Sequence, residues 1–183
     1  MSGIFTRRID PRAAMALVPH LDSQWYIEPC AGAGHLIDLL AVHGQTCQLA
    51  FDIEPQVQCG RDDIHRLDAL AFDGKHKGVQ FMMPIITNPP WDRTILHALI
   101  DHLSRLGPTW LLFDAAWKET KQAARFGPVC VKIVSVGRLK WVADSPHQST
   151  DDCSWYLFDA RHDGRPTEYH WPSCNRDPSP RLL

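Results

Sequence analysis

The chain has 183 residues, 44% of them hydrophobic and 22% charged, with 19 Lys and Arg against 21 Asp and Glu for a formal net charge of −2. This is the composition of one globular domain, and it excludes a uniformly basic nucleic-acid coat while leaving room for a local basic patch. No apolar run approaches the roughly 18–20 residues of a membrane span, and the N-terminus lacks the apolar core of a signal peptide, so the chain is expected in the cytoplasm, away from membranes.

In chain order, short apolar runs alternate with helical patterns. "WYIE" (25–28) reads as a strand, and "HLIDLLAVHG" (35–44) as a helix closed by Gly44. "CQLAFD" (47–52) and "DIHRLD" (63–68) hold a second and a third strand, and "PIIT" (84–87) a fourth. After Trp91 a helix places Leu96, Leu99, Leu103 and Leu106 on one face and stops at Gly107-Pro108. "TWLLFD" (109–114) is a fifth strand and "AWKETKQAARFG" a helix. "VCVKIVSVGRLKWV" and "CSWYLFDA" form a last pair of strands with no helix between them.

Near-continuous apolar strands alternating with helices predict an α/β fold whose sheet is covered on both faces. The expected sheet is seven-stranded and mostly parallel, with one antiparallel strand supplied by the final pair. A single domain spans 1–183. Its leading segment, 1–20, contains Arg7, Arg8 and Arg12, its tail over 161–183 is read as irregular, and no separate target-recognition domain is expected.

The six cysteines contain no C-x-x-C pair and read as reduced, mostly buried side chains. The ten histidines show no zinc-ligand spacing, so no metal site is expected.

Two turns carry the chemistry. In "WYIEPCAGAGHLIDLL" a strand runs through a small-residue turn into a helix, and Gly32 and Gly34 let backbone approach a ligand closely. A dinucleotide-type G-x-G-x-x-G would need a third glycine where Ile37 stands, which argues against a nicotinamide oxidoreductase. Glu28, Asp52 and Asp68 end three successive strands at the edge where open α/β sheets bind ligands. Three acids around a glycine turn suit a ligand with an amine, a ribose and an adenine but no phosphate, a description that S-adenosylmethionine meets. The second turn, "NPPW" (88–91), ends the fourth strand. The Asn88 side-chain carbonyl and the Pro89 main-chain carbonyl are candidate acceptors for an amine, Pro90 helps to hold them rigid, and Trp91 offers a face to a planar base.

Together, "EPCAGAGHL", "FDIEP" and "NPPW" resemble the class I S-adenosylmethionine-dependent methyltransferases, and more narrowly those that modify the amino group of adenine N6. The resemblance covers roughly residues 4–160. It implies a Rossmann-like fold, S-adenosylmethionine as cofactor, and a leading helix from "FTRRIDPRAAMALVPHL" that closes over it. It also implies that Gly32 and Gly34 line the methionine part, with Pro29, Ala31 and Asn88 among the cofactor-binding residues. Asp52 would bind the ribose, Ile53 would pack on the adenine, and Asp68, next to Ala69, would accept from the adenine amino group. Glu28 would lie at the cofactor mouth, and Asn88 through Trp91 would hold the target. The compact chain is similar to small phage- or mobile-element-encoded adenine methyltransferases of low sequence specificity, which would place it in a host cytoplasm.

Substrate contacts are expected at the loop between the last two strands, from Trp141, Ser145, His147, Ser149 and Thr150. Arg138 and Lys140, with Lys118, Lys121 and Arg125, are candidates for phosphate. The expected partner is DNA, single-stranded or duplex, or RNA, with a homodimer or another protein as a source of specificity. Two alternatives share the chemistry: N2 methylation of RNA guanine and N5 methylation of a protein glutamine. A third is a catalytically inactive subunit of a methyltransferase complex.

Overall fold

The protein is described from a computed structural model over residues 9–56, 61–75, 82–140 and 150–172, with the side chains of 140 and 150 left aside. The first helix, α1 (Pro11–Leu17), starts where Asp10 accepts from the Arg12 amide and Pro11 occupies the first turn. There follow β1 (Trp25–Glu28), α2 (His35–Ala41), β2 (Thr46–Asp52), β3 (Ile64–Arg66) and β4 (Ile85–Thr87). Next come α3 (Arg93–Leu106) and β5 (Thr109–Asp114). Then β6 (Cys130–Lys140), β7 (Thr150–Phe158) and β8 (Glu168–His170) complete the sheet.

The strand order is β3-β2-β1-β4-β5-β7-β6-β8. Strands β1 to β5 pair in parallel, β7 runs antiparallel to both β5 and β6, and β8 is parallel to β6. The expected single antiparallel strand is therefore β7. The sheet has eight strands rather than seven because β8 forms inside the stretch read as an irregular tail. Three residues between Pro166 and Pro172 are too short to show an alternating pattern.

The centre of the sheet is buried on both faces. Along β5, Trp110 and Leu112 join one cluster with Tyr26, Leu36, Leu40 and the α1 residues Ala13, Ala14 and Leu17. Leu111 and Phe113 point the other way, into a cluster with Leu96, Ile100, Trp117 and Phe126. The period-2 alternation of one apolar strand thus feeds two layers. Helix α3 behaves as its pattern predicts: Asp92 caps it by accepting from the Thr94 and Ile95 amides, Leu96, Leu99 and Leu103 are buried, and Gly107-Pro108 ends it. Leu106 is half-buried.

Two helices differ from expectation. α2 stops at Ala41, three residues short, and Gly44 sits beyond it at φ 79°. The stretch predicted as one helix near 116–127 is two 3-10 segments, Ala115–Glu119 and Ala123–Val129. Thr120 breaks it: its backbone is extended, and its hydroxyl donates to the Trp117 carbonyl at 2.8 Å. Pro128 then prevents regular α-helical bonding in the second segment.

Candidate active site

In sequence order the strands step outward from β1 through β2 to β3, and the chain then returns to the other side of β1 for β4 and β5. The order reverses between β1 and β4, whose pairing is Ile27 with Ile85. A crevice opens at such a switch point, outside the carboxyl ends of the strands. The glycine turn after β1 and the Asn-Pro-Pro corner after β4 face it from opposite sides.

The glycine turn is held by its own backbone and by β2. The Ala31 amide donates to the Phe51 carbonyl at 3.0 Å, and the Gly34 amide to the Ala31 carbonyl at 2.7 Å. Gly32 and Gly34 have φ of 54° and 80°, left-handed values that explain why glycine stands at both. Asp52 locks the turn: one carboxylate oxygen accepts from the Gly32 amide and the other from the Glu54 amide, both at 2.8 Å. Asp68 shapes its own loop by accepting from the Leu70 amide at 2.9 Å.

At the second turn Pro89 is buried, Asn88 half-buried and Pro90 exposed. Trp91 is half-buried, and its indole packs against both core clusters. Its Nε1 donates to the Leu112 carbonyl at 3.3 Å and faces Asn88 Oδ1 at 3.4 Å.

The crevice is a cleft of about 410 Å³. Of the residues predicted from sequence, it brings together Glu28, Pro29, Ala31, Gly32, Asp52, Ile53, Asp68, Ala69, Asn88, Pro89 and Pro90. Gly34 is outside the lining because it turns toward Arg61, whose Cδ would lie 2.8 Å from a β-carbon added there. Trp91 is outside it too, with its ring turned into the core. Residues that sequence reasoning missed complete the walls: Ile9 ahead of α1, His35, Gln56, Leu70, Ile95 and Leu99. Ile53, Leu70 and Ile95 are 64%, 41% and 43% exposed, an unusual concentration of solvent-facing aliphatic surface around one opening.

Glu28 is the electrostatic anomaly. It is 1% exposed, and its Oε2 is buried with no hydrogen-bond partner among the described residues. Burial drives its carboxyl well above the ordinary carboxylate range; Arg61 opposes the shift, while Asp52 and Asp38 add to it. Burial likewise pushes the Cys30 thiol up to about 12, with a further contribution from Asp52. Cys30 is therefore a neutral packing residue here, not a nucleophile.

The basic candidates are dispersed. Lys118 pairs with Glu119 at 3.0 Å and borders a separate hollow with Trp117 and Thr167. Arg125 pairs with Asp101 of α3 at 3.2 Å, and Lys121 is exposed. Arg138 is exposed near the carboxyl end of β6, 3.7 Å from Asp152 across the β6–β7 pair. None of the four lines the cleft. Trp141, Ser145, His147 and Ser149, and the side chains of Lys140 and Thr150, lie outside the described residues. Because β6 runs parallel to β5, the connection that holds them does leave from the carboxyl edge. Among the described residues no cluster could hold a metal ion, and no helix is long and apolar enough to cross a membrane.

No protein-family model matches the chain, and no curated protein matches it. Solved structures do. One from Listeria monocytogenes, described as a class I S-adenosylmethionine-dependent methyltransferase, superposes with a TM-score of 0.57 at 13% identity, covering 97% of this chain and 70% of the other. A protein from Pyrococcus horikoshii described as an RNA methyltransferase gives 0.54 at 10% identity, covering 81% and 80%. A dimethyladenosine transferase from Plasmodium falciparum gives 0.51 at 15% identity, covering 81% of this chain and 61% of that one. The fold is thus the Rossmann-like fold of class I methyltransferases, with an eighth strand at one edge of the sheet.

Proposed function

We propose that the protein is an S-adenosylmethionine-dependent methyltransferase that modifies exocyclic amines, with adenine N6 in DNA as the target and little sequence specificity. The observation that carries this reading is the convergence of an acid-rich glycine turn and the Asn88-Pro89-Pro90 corner on one cleft at the switch point. The cleft also suits the cofactor chemically: Glu28 is an orphaned buried acid fit to meet a cation, and Ile53 and Leu70 expose aliphatic surface fit to cover a purine.

When bound, S-adenosylmethionine supplies an electrophilic methyl group. Asp52, already fixed by two backbone amides, keeps lone pairs on each oxygen for ribose hydroxyls. Ile53 packs on the adenine, Asp68 accepts from its amino group, and Gly32 gives the methionine end close access to backbone.

The target amine is a poor nucleophile while its lone pair is conjugated with the base. Asn88 Oδ1 and the Pro89 carbonyl, both on the rigid corner, accept its two N–H groups and favour a pyramidal nitrogen. Trp91 backs this arrangement, its N–H facing Asn88 Oδ1 and anchored to Leu112 of β5. Ile95 and Pro90 then offer the exposed apolar edge against which an extruded base rests. The proton leaves to water once the N–methyl bond forms.

A second reading, methylation of an amine in RNA, is favoured by the likeness to structures described as RNA- and adenosine-modifying. Incubation with labelled S-adenosylmethionine and DNA, RNA or protein, followed by nucleoside analysis, decides between them. N6-methyladenine from DNA is the expected product. Label in RNA alone supports the second reading, and label in protein or in no polymer rejects both.

A further inference from the structure

Glu28 raises a question that cofactor binding at the cleft mouth does not answer: what balances its charge? It stands at the end of β1 on the strand face that it shares with Tyr26, whose hydroxyl is also buried without a partner among the described residues. The nearby cation, Arg61, is held by two other acids, Asp38 and Asp63. Asp52, across the turn, is fixed to the Gly32 and Glu54 amides and opposes ionisation of Glu28 rather than balancing it. An ionised carboxylate enclosed in this way, with one oxygen lacking any partner among the described residues, is strongly disfavoured. The inexpensive state of the empty cleft is the carboxylic acid. Glu28 nevertheless lines the cleft, so a ligand that brings a positive charge changes that balance.

We propose that Glu28 is a proton-coupled charge sensor: as a carboxylic acid it loses its proton to solvent when the cationic methionine end of the cofactor docks, and the resulting carboxylate pairs with that cation. The inference rests on S-adenosylmethionine being the cofactor. The balance is simple, since one O–H bond breaks, the proton passes to water or buffer, and no redox partner is needed. The device selects for charge. A neutral nucleoside fills the adenine and ribose parts of the cleft without ionising Glu28, whereas a nucleoside that carries a cation drives the release and gains an ion pair in a dry setting.

Other groups face Glu28. From β2 come Asp52 and the Cys47 thiol, the latter pushed up to about 12 by burial. Tyr26 on β1 is raised by burial and stays neutral. Asp38 of α2 opposes ionisation of Glu28 and Arg61, ahead of β3, favours it, while Cys30 of the glycine turn is pushed up to about 12, chiefly by burial. A Glu28→Gln substitution leaves all of them in place and so isolates the contribution of Glu28 from theirs.

Isothermal titration calorimetry on the whole chain tests the proposal, at a series of pH values from 5 to 8, each in two buffers of different ionisation enthalpy, with S-adenosylmethionine and with adenosine as probes. The expected result is net proton release with S-adenosylmethionine at pH values between the ordinary carboxylate range and the raised titration of the ligand-free carboxyl, and none with adenosine. With Glu28→Gln the release vanishes, and S-adenosylmethionine affinity loses its roughly tenfold rise per pH unit below the carboxyl's titration. Buffer-independent heats for the wild type at every pH overturn the proposal by themselves, even if the variant does not fold, and leave the methyltransferase reading intact. Failure to bind S-adenosylmethionine at all removes both.

Discussion

Replacing Asp52 with Ala should damage the protein twice, and the two losses can be measured apart. Without any ligand, Asp52 accepts from the Gly32 and Glu54 amides at 2.8 Å. Hydrogen bonds to a charged group contribute about 1.5–3 kcal/mol each when buried. Asp52 is half-buried, so water recovers part of the loss at the freed amides, and a total near 2 kcal/mol is expected. For a chain of this size, with a urea dependence of about 2 kcal/mol per molar, the unfolding midpoint should fall by about 1 M. Separately, losing the acceptor for the ribose hydroxyls should weaken S-adenosylmethionine by a further ~1.5–3 kcal/mol, or about 10- to 150-fold. Asp68→Ala is the matched control: its carboxylate is exposed and, among the described residues, accepts from the Leu70 amide, so cofactor affinity should drop with little change in the midpoint. A folded Asp52→Ala protein with wild-type midpoint and wild-type affinity would refute both the lock on the glycine turn and the ribose role.

If Asn88 accepts from the target amine as proposed, Asn88→Ala should slow methyl transfer by about 10²–10³-fold with cofactor affinity nearly unchanged; single-turnover rates beside calorimetry check this. Trp91→Ala should cost roughly 3 kcal/mol of folding stability in urea titrations, since the indole joins two core clusters; loss of substrate binding at full stability would instead make it a stacking platform. Glu28→Gln should stabilise the ligand-free protein increasingly as pH rises. The folded carboxyl keeps its proton above the ordinary value of 4.5 while the unfolded one does not, so wild-type stability falls from there up to the folded titration point. A melting-temperature gap that stays constant between pH 5 and pH 8 would contradict this.

The parallel strands were readable because "PIIT" and "TWLLFD" are apolar on both faces, a pattern that only a doubly covered sheet requires. Asp52 and Asn88 were readable because residues at the carboxyl ends of parallel strands lie at the edge where such sheets open a cleft. Other parts were not. Whether an aromatic after the corner faces the cleft depends on a partner distant in sequence, and for Trp91 that partner is the Leu112 carbonyl of β5. Ile95 lies next to the buried α3 stripe, and nothing in the helical period separates a cleft-lining aliphatic from a core one. The length and polarity of 116–127 suit a helix, but one threonine hydroxyl that bonds back to Trp117 diverts it. Lys118 and Arg125 were grouped with Arg138 by charge alone. Their actual neighbours, Glu119 and Asp101, are set by local packing.

The placement of β7 between β5 and β6 has a consequence for the order in which the molecule assembles. β5 has no second neighbour until residues 150–158 insert beside it, and β6 can join the sheet only through β7. Helix α1 depends on the same event: Ala13 and Leu17 pack in a cluster with Val134, Leu139 and Trp155, and the Trp155 indole N–H donates to the Ala13 carbonyl at 2.9 Å across 142 positions of sequence. Ile9, just ahead of that helix, forms part of the cleft wall. Contacts of such long range must first close a long stretch of chain, at a cost in entropy. During synthesis, strands β1 to β5 can therefore pair while the cleft still lacks one side. Ile9 therefore has its full set of neighbours only once the β6–β7 pair is in place, which makes that one wall of the cleft depend on strands that do not themselves line it.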